Sequence, residues 1–192
     1  MVGFINSTKM NQNAVLNGDG AAIASWSSTL NIEKGHFEWN TADNGGAISA
    51  VQSPVFIEST TFLNNAATAK GGAMYFGADT EFKMKDSILE DNKANGQTEI
   101  DGGGGMYLDN TRSGDIRSSK FKKCYANAGG GGMYLYKSLN TIIDGEFIEC
   151  HTDGDFGGGA VLINIADIRY KNVQILPPRP IIYAKFVKNY AK

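Results

Sequence analysis

Several features that commonly indicate a function are scarce in this 192-residue chain. Its two histidines and two cysteines do not follow a zinc-ligand spacing. Eighteen basic and 20 acidic residues give a net charge of −2, and this balance argues against a nucleic-acid surface. The apolar runs are shorter than the roughly 18 residues of a membrane span, and the first residues, Met1-Val2-Gly3-Phe4, lack the basic start and apolar run of a signal peptide.

Glycine, by contrast, is abundant: there are 24, about one residue in eight, against about 7% in an average protein. Most lie in short clusters that each precede an apolar residue. The clusters are Gly20-Ala21-Ala22-Ile23, Gly45-Gly46-Ala47-Ile48, Gly71-Gly72-Ala73-Met74, Gly103-Gly104-Gly105-Met106, Gly130-Gly131-Gly132-Met133 and Gly158-Gly159-Ala160-Val161. Successive apolar residues are 25, 26, 32, 27 and 28 residues apart. Such a period indicates a repeat architecture.

Two further motifs keep the same order within each copy. One is Phe-x-x-(Asn/Cys)-x-(Ala/Thr), which begins at Phe37, Phe62, Leu89, Phe121 and Phe147. The other is an apolar anchor nine or ten residues after each glycine cluster, at Ile32, Ile57, Met84, Ile116, Ile142 and Tyr170. Apolar and other residues alternate around these anchors, as in strands rather than helices. A copy this short must stack on its neighbours to bury its apolar face, so the sequence predicts an all-β solenoid.

The paired glycine and Phe-x-x-Asn motifs resemble the repeats of the polymorphic outer-membrane proteins of chlamydiae, and similar repeats occur in large β-helix proteins of protists. The resemblance covers roughly residues 10 to 192. It implies a right-handed parallel β-helix, here of about six to seven coils, that is secreted or exposed on a cell surface and serves adhesion or assembly. The expected partners are proteins or further copies of the chain, with glycans as another candidate, and no cofactor is expected.

The repeats also divide the chain. Residues 1–19 are expected to form an irregular partial coil, and the coils that follow span residues 20–44, 45–70, 71–101, 102–128, 129–156 and 157–192. The last residues, from Phe186 to Ala191, repeat the Phe-x-x-Asn-x-Ala motif. We therefore expect a segment of a longer array, and a terminal cap is the alternative.

Three stretches depart from the repeat. The polar residues 95–101 and 109–115 lengthen two copies and are expected to project from the solenoid as loops. Residues 175–180 hold three of the four prolines, which interrupt strand pairing. We interpret this stretch as an insertion, with Phe186 in the position that the period assigns to Ile175.

Stacking predicts columns of equivalent residues about 4.8 Å apart. One column contains Asn40, Asn65 and Asn92, whose amides can bond to one another, and it continues through Cys124 and Cys150. Three alternatives remain open for the two cysteines: buried free thiols, a disulfide or part of a metal site.

A second column follows the glycine clusters and contains Tyr75, Tyr107 and Tyr134, extended by Tyr136. Because the flanking anchors face inward, these tyrosines are expected to face outward as an exposed aromatic stripe. Such a stripe either binds a protein or a flat sugar face or only stabilises the stacked strands.

The sequence therefore favours a non-enzymatic structural or adhesive segment of a larger extracellular or cell-surface protein. The alternative is a carbohydrate-binding or carbohydrate-active β-helix. Hydrolysis requires two carboxylates on one face, and Asp86 and Asp144 share an aligned column, with Ser118 between them.

Overall fold

The chain folds into three sheets of parallel strands that together form a solenoid. The computed structural model describes residues 2–138, 141–164 and 181–191, and within these residues every named strand pairs in parallel and no helix occurs. In these residues, then, no helix is long and apolar enough to cross a membrane. The predicted fold class is confirmed: the chain is an all-β parallel β-solenoid of about six coils, consistent with a right-handed parallel β-helix.

Sheet 1 is bent into two arms. The first arm contains β1 (Val2–Asn6), β4 (Thr29–Glu33), β8 (Pro54–Glu58), β12 (Glu81–Lys85) and β22 (Ile181–Ile182). The second arm contains β2 (Lys9–Asn11), β5 (His36–Glu38), β9 (Thr61–Leu63), β13 (Ile88–Glu90) and β23 (Lys185–Val187). Two longer strands, β16 (Ser113–Lys122) and β19 (Thr141–Ile148), run through the bend and join the arms.

The other two sheets complete each coil. Sheet 2 contains β6 (Thr41–Asn44), β10 (Ala66–Lys70), β14 (Lys93–Ala94), β17 (Tyr125–Ala126), β20 (His151–Thr152) and β24 (Tyr190–Ala191). Sheet 3 contains β3 (Ile23–Trp26), β7 (Ile48–Val51), β11 (Met74–Phe76), β15 (Met106–Asp109), β18 (Met133–Tyr136) and β21 (Val161–Asn164). The register of sheet 3 aligns the six residues that follow the glycine clusters, as the period predicts.

The glycine clusters turn the chain from sheet 2 into sheet 3. Gly45 has a φ of +61°, a left-handed conformation that side chains rarely adopt. At Gly46 a Cβ would lie 2.3 Å from the carbonyl oxygen of Gly72 in the next coil, so there is no room for a side chain. The two glycines are therefore needed for different reasons. Gly45 allows the left-handed backbone conformation, and Gly46 allows the adjacent coils to approach closely.

Apolar side chains from all coils form one continuous core. Phenylalanines of the second arm stack along it, with ring centroids 5.0 Å apart for Phe37 and Phe62 and 4.6 Å apart for Phe121 and Phe147. Burying a side chain of this size contributes about 1.5–3 kcal/mol. Phe186 pairs with Phe147 and stacks on it at 5.4 Å, so its predicted place in the repeat is confirmed.

One predicted anchor is wrong. The register pairs Ile116 with Ile143, whereas Ile142 pairs with Asp115, so the column contains Ile143 rather than Ile142. Two adjacent isoleucines satisfy the apolar pattern equally well, and the pairing with β16 decides between them. The other predicted anchor of the last coil, Tyr170, and the proline-rich residues 175–180 lie outside the described residues.

The first residues of the chain extend both arms of sheet 1. Strand β1 pairs with β4, and β2 pairs with β5, with Met10 aligned on Phe37. Asn13 donates through Nδ2 to Asn40 Oδ1 at 2.8 Å. Residues 2–14 thus supply a partial coil that already carries the side-chain pattern of the repeat.

Candidate functional site

The predicted asparagine column is a hydrogen-bonded ladder in the turn between sheets 1 and 2. Asn65 is fully buried; its Nδ2 donates to Asn92 Oδ1 at 3.0 Å and to the Phe37 carbonyl oxygen at 3.0 Å. Its Oδ1 accepts from the backbone N–H of Asn40 at 3.0 Å and from Asn40 Nδ2 at 2.9 Å. Each asparagine therefore satisfies buried backbone and side-chain groups of neighbouring coils.

The two cysteines occupy equivalent places in the same turn. Cys124 Sγ donates to the Leu89 carbonyl oxygen at 3.4 Å, and Cys150 Sγ donates to the Phe121 carbonyl oxygen at 3.4 Å. Both thiols are free and buried, and burial raises the pKa of Cys124. Of the three alternatives, the structure has the free thiols. In the described residues no group of three or more His, Cys, Asp or Glu side chains is arranged to hold a metal ion.

The predicted tyrosine column exists in sheet 3, where Tyr75, Tyr107 and Tyr134 are in register. They alternate with core residues and so lie on the outer side of the sheet. Their expected exposure is wrong for two of them, because Tyr107 and Tyr134 are fully buried. Tyr75 and Tyr136 are partly buried.

The covering segment is the loop of residues 95–101, which was expected to project into solvent. Tyr134 Oη donates to the Glu99 carbonyl oxygen at 2.7 Å, a contact that holds the loop against the sheet. Within the loop, Asp101 Oδ2 accepts from Thr98 Oγ1 at 2.8 Å. The loop therefore covers the hydroxyl end of Tyr134, while residues 97–100 of the loop are exposed.

The remaining contacts tie the tyrosines to one another and to nearby charges. Tyr75 Oη donates to Asp109 Oδ2 at 3.0 Å, and Lys70 Nζ lies 5.2 Å from the centroid of the Tyr107 ring. Burial, followed by the nearby Asp109 charge, raises the pKa of Tyr75 and of Tyr107. Burial leaves little of the Tyr107 and Tyr134 rings for a partner, whereas Tyr75 and Tyr136 stay partly accessible.

A different aromatic column lies on the outer side of sheet 2, where its rings are partly accessible. Tyr125, His151 and Tyr190 are in register. The rings of Tyr125 and His151 have centroids 4.7 Å apart, and those of His151 and Tyr190 are stacked at 4.8 Å. Lys93 Nζ continues the column, 4.9 Å from the centroid of the Tyr125 ring. We call these four residues the sheet 2 column.

Polar side chains flank the sheet 2 column. Tyr125 Oη donates to Asn127 Oδ1 at 2.6 Å and lies 3.2 Å from Asp153 Oδ2. Tyr190 is 55% exposed, while Tyr125 and His151 are partly buried. The arrangement presents ring faces beside hydrogen-bonding groups, which suits recognition of an amphipathic surface.

The sequence prediction missed the sheet 2 column. Its members occupy the variable position between the Asn or Cys and the Ala or Thr of the Phe-x-x-(Asn/Cys)-x-(Ala/Thr) motif. The signal was the occurrence of Tyr125, His151 and Tyr190 at that position in three successive copies.

Comparisons of the chain with protein-family models, with curated proteins and with solved structures find no match.

Proposed function

We propose that the chain is a structural or adhesive β-helix segment of a larger protein at a cell surface or in the extracellular space, and that the sheet 2 column is its contact surface. The carrying observation is the set of three in-register rings of Tyr125, His151 and Tyr190 on the outer side of sheet 2, partly exposed at Tyr125 and His151 and exposed at Tyr190. The resemblance of the repeats to those of polymorphic outer-membrane proteins supports the exported location and the adhesive role.

The scaffold supports this role because its coils repeat at a fixed spacing. Successive strands in a sheet lie about 4.8 Å apart, so each ring of the column is held at a set distance from the next. The internal asparagine ladder fixes the turn directly before the column, since Asn92 and Lys93 are adjacent in sequence. A partner therefore meets a preorganised row of rings, which lowers the entropic cost of binding.

The chemistry of the column favours a protein or another surface with both apolar and polar groups. Tyrosine is enriched where a ring packs against a partner and its hydroxyl forms a hydrogen bond. Asp153 and Lys93 add one charge of each sign at the edge of the rings. Such rim charges influence specificity more than affinity.

An adhesion assay tests the proposal. Beads coated with the chain are allowed to settle on cell monolayers and on plates coated with extracellular-matrix protein, and attached beads are counted after washing. The test variant replaces Tyr125, His151 and Tyr190 together by Ser. The matched control replaces three exposed aromatic residues outside the column, Phe4, Trp26 and Phe56, by Ser.

We expect the wild-type chain and the control variant to attach and the column variant to lose most attachment. Circular dichroism verifies that both variants keep their β structure. Equal attachment of the column variant and the wild type would reject the column as the contact surface. Failure of the wild-type chain to attach to any surface would reject the adhesive role.

A further inference from the structure

A cavity opens on the outer side of the bend in sheet 1, where the last coils turn more tightly than the earlier ones. From Ile116 to Lys120 the chain takes four residues to pass the bend, but from Ile143 to Glu146 it takes three, although the two ends are paired in register. In the earlier coils a residue in the left-handed conformation, such as Asp86 with φ 50°, occupies the bend. The shorter bend of β19 therefore leaves a step in the surface.

Gly145 lies at this step, packed closely against the preceding coil. It pairs with Ser119 at the register shift, and a Cβ at Gly145 would lie 2.4 Å from the Ser119 carbonyl oxygen. In the three coils before it the corresponding residues, Thr60, Ser87 and Ser119, carry hydroxyls, and the Ser119 hydroxyl accepts from the Ser87 backbone N–H at 3.2 Å. The hydroxyl ladder thus ends at Ser119, because only a glycine fits in the next coil.

The cavity at this step has a volume of about 350 Å³. This lies at the lower end of the range for small-molecule sites, about 300–1,000 Å³. Its walls carry Ser118, Lys120, Asp144, Glu146, Tyr183 and Lys185. The space suits a ligand of one or two sugar rings.

The charges in the cavity balance. Glu146 is already paired, with Lys120 Nζ at 3.4 Å and Lys185 Nζ at 3.8 Å. Asp144 forms no hydrogen bond or ion pair with the part of the chain that the structure describes, so its carboxylate is available as an acceptor. Two carboxylates disfavour a phosphorylated or otherwise anionic ligand, and the two ammonium groups disfavour a cation.

Tyr183 supplies an apolar surface beside these polar groups. Its side chain is 72% exposed, and its backbone N–H donates to the Ile143 carbonyl oxygen at 2.8 Å, which fixes the residue at the rim. A neutral sugar suits this site, because an exposed ring lies next to a carboxylate, ammonium groups and the Ser118 hydroxyl. The ring can pack on the C–H face of the sugar, while the charged groups bind its hydroxyls.

We infer that this cavity, the bend cavity, binds a neutral glycosyl unit, with Asp144 accepting hydrogen bonds from sugar hydroxyls and Tyr183 packing on the ring. The assignment does not depend on the adhesive role of the sheet 2 column, which lies on another sheet. The cavity is open and polar, so we expect weak binding of a single unit, with Kd of about 1 mM.

The test is a titration of the ¹⁵N-labelled chain with cellotetraose, chitotetraose and mannotetraose, followed through backbone amide chemical shifts. We expect at least one of the three to shift the amides of Asp144, Glu146 and Tyr183 in a saturable way. The variants Asp144→Asn and Tyr183→Ala should each weaken binding by about tenfold or more. Asp144→Asn loses hydrogen bonds to a charged group, and Tyr183→Ala loses the packing of the aromatic ring on the sugar. Asp86→Asn, at the bend two coils earlier, should leave binding unchanged.

Two results would overturn the inference. One is the lack of saturable shifts with all three oligosaccharides at concentrations well above the expected Kd. The other is a set of shifts centred on Tyr125 and His151, with unchanged affinity in Asp144→Asn and Tyr183→Ala, which would place sugar binding on the sheet 2 column instead. Because Asp144 and Tyr183 lie at the surface, both variants are expected to fold, and circular dichroism verifies this.

Discussion

Replacing Asn65 by Ala removes one rung of the asparagine ladder without touching the apolar core. Asn65 is fully buried and takes part in four side-chain hydrogen bonds, with Asn40, Phe37 and Asn92. In the variant, the backbone N–H of Asn40 loses the acceptor that Asn65 Oδ1 provides. Asn65 is enclosed by the neighbouring coils, so we expect this donor to remain unsatisfied in the variant.

The expected loss of stability follows from these contacts. An unsatisfied buried donor costs about 1–3 kcal/mol, and each of the three other hydrogen bonds contributes about 0.5–1.5 kcal/mol. We therefore expect the free energy of unfolding to fall by about 2.5–7.5 kcal/mol, a large part of the 5–15 kcal/mol that is usual for a domain. Asn65→Cys should cost less, because a thiol keeps the bond to the carbonyl oxygen, as Cys124 and Cys150 do at equivalent positions.

Urea unfolding followed by circular dichroism measures these differences. Asn31→Ala is the matched control, since Asn31 alternates with the buried Leu30 and Ile32 of β4 and so faces outward. We expect stability in the order wild type and Asn31→Ala, then Asn65→Cys, then Asn65→Ala. The reasoning is refuted if Asn65→Ala is as stable as Asn31→Ala, or if Asn65→Cys is less stable than Asn65→Ala.

Three further outcomes are expected. Gly72→Ala should lower the free energy of unfolding in urea by more than about 4 kcal/mol, because the new Cβ would lie 2.1 Å from a carbonyl oxygen of the next coil. The control is Gly3→Ala, whose Cβ has its nearest contact at 3.8 Å, and equal urea midpoints for the two variants would contradict the clash. Both thiols should resist Ellman's reagent until denaturant is added, since they are buried and burial raises the pKa of Cys124; rapid reaction in the native protein would show that the ladder opens. The pKa values of Tyr75 and Tyr107 are raised in the folded chain, so the unfolded chain ionises first as the pH rises. The free energy of unfolding should therefore be unaffected at neutral pH and fall above about pH 10, the pKa of an unfolded tyrosine. A free energy of unfolding that stays constant from about pH 9 to 12 in urea titrations would contradict the burial of these two tyrosines.

The two proposed contact sites, the sheet 2 column and the bend cavity, consist of residues that do not stand out within any single repeat. Tyr125, His151 and Tyr190 are ordinary residues when considered one copy at a time, and only the parallel register makes them a column. Asp144 and Tyr183 are far apart in sequence and meet because β19 and β22 are neighbours at the bend. In both cases a property of the stack creates the candidate site.

The sequence by itself determined the period, the strand type and the membership of most columns. Each coil must place the same kinds of residue at the same turns, because backbone pairing in a parallel stack allows little shift between coils. This is why Asn40, Asn65 and Asn92, and the tyrosines of sheet 3, were assigned to the correct columns.

Only the tertiary structure decided which columns are accessible and where the stack is irregular. The loop of residues 95–101 covers Tyr134 through a contact between residues 35 positions apart in sequence, and nothing in the periodic pattern specifies such a contact. The choice of Ile143 over Ile142, and the cavity beside Gly145, follow from a one-residue shortening of the bend. A repeat specifies what its copies share, whereas the features that distinguish one face from another arise where the copies differ and pack against one another.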